Sequence, residues 1–208
     1  RMKRTPPRRT QGSRTQATTA ALLKAAQRLF GENGYEAVSL DDIAAQAGVT
    51  KGALYHHFPD GKAALFQAVF LRLQRTLTEA LDSAAKGAKG VAGLRQVLTA
   101  YFDAACLPAT HRITLLDAPA VLGPDQWRES ERRHALRHIL ESVDLVLHEP
   151  PFSKAFKATL AQAFYGAMYE ATFAVMTATD KAAAKRMAID ATVEGAYAVL
   201  LRGDDRGG

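Results

Sequence analysis

From Thr18 onward, apolar residues recur at spacings of three and four, and nowhere do Val, Ile and Thr alternate with polar residues over a strand's length. That periodicity predicts an all-α chain. A first helix is expected over 17–33, with Leu22, Ala25, Ala26, Leu29 and Phe30 on one face and Asn33-Gly34 as its stop. Ser39 and Asp42 form an S-x-x-D capping box for a helix over about 40–47, whose buried stripe is Leu40, Ile43, Ala44 and Ala47. Gly48 turns the chain, and Thr50 caps a very short helix over about 51–57. Asp60 is placed to cap a long helix over 61–85, with Leu65, Phe66, Val69, Phe70, Leu73, Leu77 and Leu81 as its stripe. Beyond a KGAKG linker (86–90), helices are expected over about 91–106, 108–117, 125–148, 153–178 and 181–202, with Pro150-Pro151 as a break. That makes about nine helices: a compact three-helix unit, a connecting helix and a larger helical body.

Charge narrows the partners. The net charge of +6 is that of residues 1–14, which hold Arg1, Lys3, Arg4, Arg8, Arg9 and Arg14 and no acid; the remainder sums to zero. Residues 1–16 are expected to form a disordered basic arm, which either touches a polyanion or serves as a solubilising terminus. No run of about 18 apolar residues is present, and no apolar stretch of the secretory kind follows the basic start, so neither a membrane span nor a signal peptide is predicted. The single cysteine, Cys106, excludes an intramolecular disulfide framework and suits a reducing cytoplasm.

Two helices joined by a tight glycine turn fit helix-turn-helix geometry, in which the second helix enters the major groove of DNA. On a helical wheel of residues 51–58, Leu54 and Phe58 form one buried edge. Opposite lie Gly52, Ala53 and His56, flanked by Tyr55 and His57. Small residues permit close approach to base edges, while the longer polar aromatics reach flanking phosphates. Adjacent His56 and His57 diverge by about 100°, which argues against a shared metal ion.

The stretch ALLKAAQRLFGENGYEAVSLDDIAAQAGVTKGALYHHFPDGKAALFQAVF (21–70) resembles the DNA-binding domain of the TetR family of bacterial transcriptional regulators. The likeness rests on A-x-x-L-F-x-E-x-G-Y (26–35), S-x-x-x-I-A-x-x-A-G-V (39–49) and G-x-L-Y-x-H-F (52–58); RITLLDAPAVLGPDQWRE (112–129) resembles a segment of the family's regulatory domains. The resemblance implies an N-terminal helix-turn-helix DNA-binding domain (17–62) and a C-terminal ligand-binding and dimerisation domain (63–208). It implies a homodimer formed through the last two helices, bound to a near-palindromic double-stranded DNA operator and released by a small-molecule effector. An activator or a member that senses no ligand is the alternative. By matching position, Thr50, Gly52 and Ala53 would lie at bases or their immediate phosphates, and Lys51 would belong to the same DNA-binding set. Tyr55, His56, His57 and Lys62 would contact the backbone, and Ser39 would add a phosphate contact at a helix N-terminus. FPDGK departs from the family's F-x-x-K join by one residue, Gly61. No cofactor is implied, and the site of action would be the cytoplasm, at the nucleoid.

Other candidates have plainer readings beside them. Tyr101, Phe102, Trp127, Phe164, Tyr165, Met168, Tyr169 and Phe173 would line an effector pocket, or simply pack helices. Glu131, His134 and His138 share a helical face, which reads as a charged solvent face among arginines rather than a metal site. Cys106 reads as a small core residue rather than a redox sensor. Ala163, Gly166, Ala167 and Ala171, with Ala184, Ala188, Ala191, Gly195 and Ala198, suit close helix crossings, either between subunits or within one chain. No nucleophile–base pair or carboxylate pair stands at a recognisable catalytic spacing.

Overall fold

The computed structural model describes residues 11–133, 137–146 and 153–204, all helices and short turns. Helix α1 runs Gln11–Asn33, starting six residues before the sequence places it, so the segment 11–16 assigned to the arm is helical. Then follow α2 (Leu40–Ala47), α3 (Lys51–His57), α4 (Gly61–Ala85) and α5 (Gly90–Ala105). The short piece expected near 108–117 is longer: α6 (Pro108–His111) widens into a π-helical stretch (Arg112–Asp117) and continues as α7 (Ala118–Leu122). The helix expected over 125–148 is seen as α8 (Pro124–Glu131) and α9 (Arg137–Val146). The chain ends in α10 (Lys154–Thr177) and α11 (Lys181–Asp204). His134 and Pro150-Pro151 lie outside the described residues.

The punctuation of α2 and α3 is local chemistry. Ser39 Oγ accepts from the Asp42 backbone N–H and Asp42 Oδ2 accepts from the Ser39 N–H, each at 3.1 Å, which completes the capping box. At the other end Gly48 sits at φ 67°, where a side chain would be strained. The Gly48 and Val49 N–H groups return to the carbonyls of Ala45 and Ala44, closing a Schellman turn. Thr50 Oγ1 accepts from the Ala53 N–H and caps α3. Asp60 makes no side-chain cap of α4, against expectation. Its backbone (φ −80°, ψ 8°) is not the extended conformation of a capping residue, and Gly61 takes the left-handed turn instead at φ 76°.

Two cores divide the molecule. The N-terminal core joins Leu22, Ala26 and Phe30 of α1 to Ile43 of α2, Leu54 of α3, and Leu65, Phe66, Val69 and Phe70 of α4. It also takes in Ile113 and Ala118, which arrive from the C-terminal body. The C-terminal core joins Leu81 of α4 to Leu94, Leu98 and Phe102 of α5, Ile139 of α9, Met168 of α10 and Ile189 and Val193 of α11. Helix α4 therefore belongs to both cores, one per half. The α6–α7 segment is the second bridge. A Cβ built on Gly31 of α1 would lie 2.4 Å from the Cβ of Ala109, so these backbones touch where only glycine fits. Asp117 Oδ2 accepts from the Tyr35 N–H at 2.9 Å, fastening the end of the π-helical stretch to the turn after α1.

Candidate nucleic-acid interface and effector cleft

Helix α3 is fixed from beneath and open above. Leu54 is fully buried and Phe58 packs against the same core, while Gly52 and His56 are exposed and Ala53 is half-buried. Tyr55 is 42% exposed. The wheel thus assigns the faces correctly. A Cβ on Gly52 would meet nothing within 4 Å, so no neighbour within the protein requires glycine there.

Several of the expected DNA-contacting side chains already have partners. Lys51 Nζ pairs with Asp41 at 2.8 Å, an exposed, solvent-screened bridge that a phosphate can displace. Lys62 Nζ donates to the Glu36 carbonyl at 3.2 Å and lies 4.2 Å from the centre of the Tyr35 ring, so the lysine after Gly61 turns back onto its own domain. His57 Nδ1 lies 3.0 Å from Thr19 Oγ1, which itself lies 3.1 Å from the Thr15 carbonyl oxygen, so one ring nitrogen of His57 is engaged by α1. His56 is exposed beside it.

A second site opens in the body. A cleft of ≈ 690 Å³ is lined by Trp127, Arg128, Glu131 and Arg132 on the α8 side and by Tyr165, Gly166 and Tyr169 of α10. Of the aromatic residues expected at a pocket, Trp127, Tyr165 and Tyr169 line this cleft. Tyr101, Phe102 and Met168 are buried in the C-terminal core instead, and Phe164 packs against it. The Tyr101 hydroxyl lies 3.4 Å from that of Thr172. Phe173 continues the aromatic line inward from Tyr169, at 5.1 Å between centroids, to His111 at 5.0 Å. His111 is buried with Nε2 unpartnered, and burial pushes its pKa down.

Glu131 is the residue the sequence reading misplaces. It is 7% exposed, not part of a solvent face. Gln74 of α4 donates its amide N–H to one carboxylate oxygen, and the Tyr165 hydroxyl donates to the other at 2.9 Å. Burial raises the Glu131 carboxyl above its ordinary range; the two hydrogen bonds offset this in part. Burial and the neighbouring carboxylate likewise raise the Tyr165 hydroxyl, which remains a donor. Its i, i+4 spacing from Trp127 is the signal that places Glu131 in the same cleft. His138, 3% exposed, also leaves the supposed solvent face. Its Nε2 accepts from Arg137, and its Nδ1 faces Glu141 at 3.3 Å and Asp82 at 3.5 Å. Glu131 and His138 thus have separate partners and form no common ligand set. Cys106 is half-buried against the C-terminal core, and burial pushes its thiol pKa up, away from the reactive thiolate.

Known proteins align with this organisation. The family model described as "Bacterial regulatory proteins, tetR family" matches residues 22–69, and that described as "Tetracyclin repressor-like, C-terminal domain" matches residues 91–196. The Transposon Tn10 TetC protein of Escherichia coli is 29% identical over 134 residues, covering 63% of this chain and 64% of that protein, so the match spans under two thirds of that relative. A TetR-family transcriptional regulator from Pectobacterium atrosepticum is 34% identical, with a TM-score of 0.67 over 88% of this chain and 93% of that one. A SmeT–triclosan complex is similar at 25% identity, with a TM-score of 0.67 over 86% of this chain and 91% of that one.

Proposed function

The chain belongs to the TetR family of bacterial regulatory proteins, and from that premise we propose that it is a repressor that binds a near-palindromic operator as a homodimer and is released by a small molecule. The observation that carries the DNA-reading part is the open face of α3. Leu54 anchors that helix, and Gly52, Ala53, Tyr55 and His56 face outward. Glycine is a poor helix former, and nothing within the protein requires it at Gly52, in the first turn of α3. Close approach to base edges supplies the reason.

The dimer reading is supported by the outer faces of α10 and α11. Ala163, Gly166, Ala167, Ala191, Gly195 and Ala198 are exposed, as are Met187 at 69% and Tyr197 at 44%. A Cβ on Gly166 or Gly195 would meet nothing within 4 Å. Exposed small residues suit close helix crossings with a second copy, and Gly166 stands where that face meets the edge of the cleft. Such a dimer would hold its two reading helices roughly 34–36 Å apart, one turn of DNA.

Release is read from the cleft's connections. Trp127 Nε1 donates to the Thr114 carbonyl within the π-helical stretch, whose Ile113 is buried in the core of the DNA-reading head. A ligand that binds better to a spread-apart arrangement of heads shifts the population towards it and lowers operator affinity by that differential. The triclosan bound by SmeT lends support to an effector role for the body, and the second family description to repression. Among the described residues no helix is long and apolar enough to cross a membrane; action at the nucleoid, in the cytoplasm, follows from the DNA-binding role.

The test is selection of duplexes by the purified protein from a random pool, followed by competition with unselected duplex. A two-fold symmetric consensus bound by two protomers supports the reading. Equal affinity for selected and random duplex would mean a non-specific packaging protein instead.

A further inference from the structure

The cleft between α8 and α10 has a charge pattern that selects among ligands. At its floor is the Glu131 carboxylate, and the donors that meet its two oxygens, the Gln74 amide and the Tyr165 hydroxyl, are both uncharged. Among the described residues no lysine, arginine or histidine pairs with it. A buried carboxylate without a cationic partner is costly as an anion, and burial accordingly raises its pKa. The rest of the cleft does not compensate. The rim carries Asp125, Arg128 and Arg132, the last paired with Glu129; all three are exposed and screened by water, so the buried carboxylate of Glu131 is the charge that acts most strongly inside the cleft. Around it stand three rings: Trp127 lies 5.9 Å from Tyr169, and Tyr165 lies 6.4 Å from Tyr169. Aromatic faces attract cations and repel anions.

We infer that the cleft takes an organic cation, a protonated amine or quaternary ammonium on a flat apolar body, with its positive centre toward Glu131 and its body among Trp127, Tyr165 and Tyr169. An anionic ligand meets like charge at the floor, and a neutral one leaves the carboxylate without a counter-charge. The inference rests on the reading of the body as an effector-binding domain and names the class of effector.

Trp127 is the only tryptophan of the chain, so its fluorescence reports occupancy of this wall directly. The probes are N-methylacridinium, its uncharged parent acridine, and anthracene carboxylate, titrated into the full chain at mildly alkaline pH. The cation is expected to bind with a Kd about ten-fold below that of acridine, and the anion more weakly than either. Glu131→Gln should bring the cation to acridine's level while leaving acridine itself unchanged, which also shows that the variant cleft is intact. Tyr169→Leu should weaken the cation and acridine alike. Equal affinity for cation and acridine, or a Glu131→Gln variant that still prefers the cation, overturns the inference. The same titration with a selected duplex present separates the two levels. A cation that binds as expected but leaves DNA bound preserves this inference and overturns the effector role. Release by acridine without any preference for the cation does the reverse.

Discussion

The Trp127 indole donates through Nε1 to the Thr114 carbonyl oxygen at 3.0 Å, tying the wall of the cleft to the segment that docks on the N-terminal head. The acceptor lies where the helix widens: the Ala118 N–H reaches back five residues to the Ile113 carbonyl. One residue before Thr114, Ile113 is fully buried in the head's core, and three residues after it Asp117 holds the Tyr35 N–H. Any displacement of the Trp127 wall would therefore act on a bond one residue from the core of the N-terminal head.

Trp127→Phe keeps an aromatic ring against Tyr169 and removes the donor, leaving the Thr114 carbonyl unpaired in a half-buried setting. The expected cost is about 1 kcal/mol in urea unfolding followed by circular dichroism. Ligand-dependent release of DNA should fall while ligand-free DNA binding stays within a few-fold. Full release by the variant would mean that the signal bypasses this bond.

Gly31 against Ala109 offers a test of the second bridge. Exchanging a helical glycine for alanine ordinarily stabilises by up to about 1 kcal/mol. Here the new Cβ would lie 2.4 Å from the Ala109 Cβ and 2.9 Å from its Cα, so α1 and α6 must separate. Gly31→Ala is expected to destabilise by roughly 1–3 kcal/mol, and Ala109→Gly in the same chain should restore a good part of the loss. A Gly31→Ala variant with raised stability would show that the two helices are not in this contact.

Gly52→Leu should separate folding from function by sign. The position is exposed in the first turn of α3 and a Cβ there meets nothing within 4 Å, so loss of this glycine should leave stability unchanged or raise it slightly, by less than about 1 kcal/mol. Affinity for a selected duplex should nevertheless drop by an order of magnitude or more, because the new side chain holds α3 out of the groove. Undiminished affinity would show that this face is not the reader.

Tyr55→Phe probes phosphate contact rather than base reading. The hydroxyl sits on an exposed side chain at the edge of α3, and its removal should cost about 1 kcal/mol of binding, alike for selected and random duplexes. Filter binding or fluorescence anisotropy across a duplex panel measures this. A changed base preference at constant overall affinity would reassign Tyr55 to the groove.

How much of this was legible in the sequence divides along local and non-local causes. The Ser39–Asp42 box, the Gly48 turn and the Leu54/Phe58 edge depend on residues within one or two turns of one another, and the sequence predicts each of them. The polar segment Gln11–Gln16 carries no apolar period, so its helicity had no signal; Thr19 on α1 meets His57 from 38 residues away. Glu131 sits in a run of charges that reads as solvent-facing, and its burial is imposed by Gln74, 57 residues earlier, and Tyr165, 34 residues later. The contacts of Lys62 with the Glu36 carbonyl and the Tyr35 ring likewise come from residues far from it in the chain.

Glu131 also predicts how stability varies with pH. Burial raises its carboxyl above the 4.5 of a free glutamate, so folding favours the protonated acid. That contribution is fully present below the unfolded value of 4.5 and is lost as pH rises through the folded-state value. Each unit of elevation corresponds to about 1.4 kcal/mol once both states are ionised. Glu131→Gln preserves the geometry, since its oxygen accepts from Gln74 and its amide donates to the Tyr165 oxygen, and it carries no titratable proton. The variant should match the wild type in melting temperature on the acid side of that window and exceed it increasingly towards neutral pH. Thermal unfolding by circular dichroism across a pH series measures the gap. Parallel curves would mean that Glu131 keeps an ordinary pKa in the folded protein, and a gap that opened towards acid would mean that a cation already compensates it.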